Sequence, residues 1–92
     1  MELMITAGNT SVDCYEKAVE AFFSGDTDSS DEIIEQEKFI NKMDREIASW
    51  AFLHERKNPL LICATCSIRE SIKRIAEYAA DVAEITINRS YK

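Results

Sequence analysis

With 92 residues, of which 46% are hydrophobic, the chain has room for one modest core and is too short for a two-lobed enzyme with a deep cleft. The formal net charge of −6, with no gathering of Lys and Arg, excludes the cationic face that a DNA- or RNA-binding protein needs to displace counterions. Only two glycines and one proline occur, so regular structure must cover nearly the whole chain, and the predicted fold class is all-α.

The opening MELMITAGNTSVDC places an acid early and no basic segment before an apolar run, which is not the pattern of a signal peptide. No stretch reaches the ~18 consecutive apolar residues of a membrane span, so no membrane insertion is expected. Three cysteines cannot all pair, which fits a reducing, cytoplasmic setting.

Two breaks divide the chain: the turn-forming run Ser24-Gly25-Asp26-Thr27-Asp28-Ser29, and Asn58-Pro59. They predict helices over about 2–24, 30–57 and 60–89, and one domain over 1–92. In the first helix Met4, Val12, Tyr15, Val19 and Phe22 form the expected apolar stripe, with a kink or fraying expected near Gly8. The second opens on Ser29 as N-cap with Glu32 three residues later, a capping box. Its expected core stripe is Ile33, Ile40, Met43, Ile47, Trp50 and Ala51. Phe39 and Leu53 widen that stripe on one side and Ile34 with Phe52 lies round on the other, a surplus that points to a second interface. Pro59 suits the first turn of the third helix, whose expected core face runs Leu61, Ile68, Ile72, Ile75, Ala79, Val82 and Thr86. Two tight connections between long helices give an antiparallel up-down-up three-helix bundle.

On the third helix Glu70, Glu77, Asp81 and Glu84 fall within roughly a 60° arc opposite its isoleucines. Lys73 and Arg74 sit beside them, so Glu70–Arg74 and Lys73–Glu77 at i,i+4 can pair, and the plain reading is a solvated, salt-bridged face. The functional alternative is a cation held by Glu77 and Asp81 together with Glu37, Asn41 and Asp44 of the second helix, since hard cations take several oxygen ligands. Cys63 and Cys66 form a CxxC that, with Cys14 and His54, would supply four zinc ligands. That CxxC lies inside a helical pattern and not on a knuckle, so half-buried cysteines are expected, and His54 is read as a partly buried histidine within the second helix's stripe. One histidine, no strained nucleophile turn and no glycine-rich phosphate loop leave nothing from which to assemble an enzyme site.

Together, "SGD", "IIEQEKFINKMDREI" and "SIKRIAEYAADVAEITIN" resemble the PhoU family of phosphate-uptake regulators, over residues from about 12 to 90. The segment from Arg74 to Glu84 is most similar to the archaeal branch. The resemblance implies a spectrin-like three-helix bundle, one repeat where the family usually has two; with the extra apolar residues of the second helix, the expectation is that two copies pair as a homodimer or higher oligomer and restore a six-helix unit, or that the chain meets a partner bundle. It also implies clustered iron or another divalent metal ion, held by acid pairs on the second and third helices. Carried over residue by residue, those positions are Glu37 and Asn41, then Lys73 and Glu77, so two of four have lost their acid and Lys73 sets a cation where a ligand should be. Asp81, a turn beyond Glu77, is the available substitute.

The activity implied is that of an adaptor, not an enzyme, which engages the phosphate ABC transporter's ATPase or a signalling protein. The surface expected to serve partners or oligomerisation comprises Phe39, Leu53, Lys73, Arg74 and Glu84. Two other functions compete with it: a metal-binding helical protein, and an oligomerisation module with no phosphate role.

Overall fold

The computed structural model describes residues 2–55 and 57–90. Three helices follow in order, α1 (Glu2–Ser24), α2 (Thr27–Glu55) and α3 (Pro59–Ser90), and no strand occurs among the described residues. Asp44 and Glu55 of α2 bond Arg69 and Thr65 of α3, so these two helices run antiparallel. Gly8 lies against Ile72, and Phe22 lies beneath Arg89, so α1 and α3 run parallel. The result is the all-α, up-down-up bundle, drawn out into a rod of 54 × 17 × 17 Å.

The first connection is two residues long because each residue does double duty. Gly25, at φ 73°, takes the left-handed conformation that ends a helix, and the Asp26 N–H then donates to the Ala21 carbonyl at 3.0 Å. Asp26 is also the N-cap of α2, correcting the expectation of Ser29. Its carboxylate accepts from the Ser29 N–H at 3.0 Å and the Ser29 hydroxyl at 2.6 Å, which holds it below the usual carboxylate range. With an acid three residues upstream to satisfy the orphaned N–H groups, the helix starts at Thr27 instead of near 30. Ser30 is buried, and its hydroxyl donates to the Asp26 carbonyl at 3.0 Å. At the second connection the Asn58 side chain accepts from the Leu61 N–H at 3.3 Å, and Pro59 occupies the first helical position. α2 ends at Glu55; residue 56, within the expected end near 57, lies outside the described residues.

Core composition differs between the helices. α2 buries Ile33, Ile40, Met43, Ile47 and Ala51, each isoleucine contributing on the order of 1.5–3 kcal/mol by leaving water. Trp50 is the exception in its expected stripe, 38% exposed at the edge. α1 instead buries Ala7, Ser11, Cys14, Ala18 and Ala21, while Val12, Tyr15 and Val19 of its expected stripe are exposed. In α3 the inward residues are Thr65, Ile72, Ala76, Ala79, Ala80, Ala83 and Thr86, whereas Leu61 and Ile68 are exposed and Ile75 and Val82 only half-buried. Small residues admit closer approach of helix axes, toward the ~8 Å end of the usual range, and the large isoleucines of α2 fill the space so left.

No break occurs at Gly8, and α1 is continuous from Glu2 to Ser24. The hydroxyls that weaken helix propensity there bond within the helix: Thr10 donates to the Thr6 carbonyl at 2.7 Å, and Ser11 to the Gly8 carbonyl at 2.8 Å.

Candidate functional site

The antiparallel packing of α2 on α3 lines up the charged residues of both along one seam. Its fixed point is Asp44, buried at 6% exposure, which accepts two bonds from Arg69: Nε to Oδ1 at 2.9 Å and Nη2 to Oδ2 at 3.2 Å. This fork-on-fork geometry satisfies both charges where little water reaches the carboxylate, and it raises the Arg69 pKa above its ordinary value. Further along, the Thr65 hydroxyl donates to the Glu55 carboxylate at 3.0 Å. Around Arg69 lies an open cleft of about 330 Å³ lined by Cys66, Glu70, Lys73, Arg74 and Glu77. Arg74 donates to Glu70 at 3.3 Å, and cations and acids are evenly matched there.

Beyond the cleft the balance ends. Glu77, Asp81 and Glu84 are exposed on α3, one helical turn or so apart, and Glu37 comes up beside them from α2. Burial pushes the Glu37 carboxyl above the ordinary glutamate range, and the charges of Glu77, Asp81 and Glu84 push it further the same way. The four therefore form an acid ridge across the two helices, wet on α3 and half-buried at Glu37.

This placement decides whether the donors fit iron or another divalent ion. Asp44, one of the expected ligands, is committed to Arg69. Lys73 lines the cleft beside Glu77, and Asn41 is half-buried between Glu37 and Asp44 on α2. Among the described residues no three Asp, Glu, His or Cys side chains come together in an arrangement that could hold a metal ion. The donor set does not fit the ion that the acid pattern implies, because a cation and a committed carboxylate occupy positions where free oxygens are required.

The remaining candidates are separate from the ridge. Phe39 is exposed at the mouth of a cleft of about 470 Å³ between α1 and α2, and Leu53 is exposed beside Phe52 near the far end of α2. His54 is exposed rather than partly buried. Its ring stacks on Trp50 with centroids 5.1 Å apart, and Nδ1 lies 3.0 Å from the Trp50 carbonyl; α1 begins beside Ile47 and Trp50, which leaves the last turn of α2 to α3 alone. Cys63 and Cys66 are exposed free thiols on α3; Cys14 is buried in the core, where desolvation raises its pKa. Arg69 was not marked by its spacing. The available signal was Asp44 itself, an acid on the inward flank of α2 that requires a cation, but nothing in the order of residues shows which cation arrives from 25 positions away.

No described helix is long and apolar enough to cross a membrane. The sequence model of the PhoU domain matches residues 4–86. No curated protein and no solved structure matches the chain.

Proposed function

The chain belongs to the PhoU domain family, whose members regulate phosphate transport and are not enzymes, and from that premise we propose that it is a cytoplasmic adaptor in phosphate homeostasis. Its partner in this reading is the ATPase of the phosphate ABC transporter or a signalling protein. The observation that carries the proposal is the family match over nearly the whole chain. The ridge of Glu37, Glu77, Asp81 and Glu84 supports it by offering a rigid, single-sign surface of the kind that steers a basic partner patch. Lys73 and Arg74, at the border of the ridge, fix the orientation of that partner, and Phe39 and Leu53 add apolar anchors on α2.

Affinity capture with the tagged chain from phosphate-replete cells tests this. Recovery of the transporter ATPase or a signalling protein, lost on Asp81→Lys with Glu84→Lys, is the expected result. Capture of neither class overturns the reading.

A further inference from the structure

Of the three cysteines, two stand exposed on α3, and neither the acid ridge nor the core makes use of them. Cys63 and Cys66 are free thiols in the second turn of that helix. A separation of three residues sets side chains about 60° apart around the axis and ~4.5 Å apart along it, so both thiols share one face. Cys66 borders the cleft of about 330 Å³ together with Arg69, Lys73 and Arg74. Arg69 is bound to Asp44 and Arg74 to Glu70, whereas Lys73 is half-buried and makes no ion pair among the described residues. Asp44 is the main cause of the raised Arg69 pKa, and the charge and hydrogen bond of Cys66 add to it, so this sulfur faces a guanidinium.

We propose that Cys63 and Cys66 form a two-coordinate site for a soft monovalent ion, copper(I). Spacing separates this from the alternatives. Side chains three apart on a helix hold their Cβ atoms about 5–6 Å from each other. A disulfide needs about 3.5–4.5 Å, so the pair cannot close on itself without unwinding α3. A metal-sulfur bond is about 2.3 Å, so two thiolates on opposite sides of one ion stand about 4.6 Å apart, a span that those Cβ atoms accommodate. Zinc requires four ligands, and of the other two that the sequence offers, Cys14 is buried in the core and His54 is stacked on Trp50 of α2. No third Asp, Glu, His or Cys joins the pair among the described residues, which leaves zinc, calcium or iron under-coordinated and suits an ion that two soft sulfurs satisfy.

Charge favours the same occupant. Each thiol gives its proton to solvent as its bond to the ion forms, and two thiolates around one monovalent cation leave a single negative charge. Lys73 is the uncommitted cation of the cleft, and helical side chains lean toward the N-terminal end, which here is the direction of Cys66. Glu70 is tied to Arg74, and Glu77 lies a turn beyond Lys73, away from the thiols. The site is also distinct from the acid ridge, whose first member on α3, Glu77, stands ~16 Å further along the helix from Cys66. The inference stands apart from the adaptor reading: capture of no phosphate-system protein would leave it intact, and a chain that takes up no copper(I) would leave the adaptor reading intact.

Anaerobic titration of the reduced full chain with copper(I) against the chelator bicinchoninate tests it, with Cys63→Ser, Cys66→Ser and Lys73→Glu. Both thiols are exposed, so the bundle survives their replacement, as an unchanged helical circular dichroism spectrum will report, and Cys14 remains in every variant as the thiol that takes no part. The expected result is one copper(I) per chain held against the chelator, with two sulfur neighbours in X-ray absorption. Either serine change abolishes that retention, and Lys73→Glu weakens it severalfold. A chain that yields all its copper(I) to the chelator overturns the inference, as does copper(I) retained after either serine change, one ion shared between two chains, or zinc held as tightly.

Discussion

α2 buries three isoleucines and a methionine, whereas α1 and α3 bury mostly alanines and leave valines, isoleucines and aromatics outside. The contrast shows that apolar periodicity identifies a stripe without saying which way it points. In α2 one stripe of isoleucines points inward, with Phe39, Phe52 and Leu53 left outside it. In α1 and α3 there are two, one of small residues and one of large, and close packing of helix axes selects the small one for the core.

The sharpest way to break this contrast is Ile40→Ala, which empties a fully buried site on α2 and should cost about 3–4 kcal/mol in chemical denaturation. Asp44→Ala comes next, at about 3 kcal/mol, because it leaves the Arg69 guanidinium without its carboxylate in a partly buried seam. Replacing both partners by Asp44→Leu with Arg69→Met should recover most of that loss, since no charge is then stranded. On the opposite side of the contrast, Ala18→Leu adds volume where α1 has none to spare and should cost about 2 kcal/mol, although the new residue is the more hydrophobic.

The smallest effect concerns the ridge. The folded-state pKa of Glu37 is raised, so the native state holds that proton more readily than the unfolded chain does, and stability falls as pH rises from the ordinary glutamate value through the raised one. Glu37→Gln removes this penalty. It should stabilise the protein by a few tenths of a kcal/mol near neutral pH, with the gain vanishing below about pH 4, as thermal melts across that range will record.

Much was legible before any coordinates. Gly25, Pro59 and the scarcity of other breakers predict three helices, and the arc of Glu77, Asp81 and Glu84 predicts a solvated face. What escaped depends on long-range choices. Asp26 and Ser29 are both good caps, and only the geometry after Gly25 decides between them. Asp44 reads as a flank acid until Arg69 reaches it, and His54 reads as interior because the wheel does not reveal that α1 begins only beside Ile47 and Trp50.

The rod of 54 × 17 × 17 Å has a dynamic consequence. Each cross-section of such a bundle is held only by the few side chains at its own level, so opening need not be all-or-none along its length. The end where α2 hands over to α3 has exposed Leu53, Leu60 and Leu61 and little burial, while the middle holds Ile40, Ser11 and Ala76 almost sealed from water. Amide protons near Leu53 and Leu61 will therefore exchange with deuterium first, and those around Ile40 and Ala76 last, recording a gradient of local stability down the long axis.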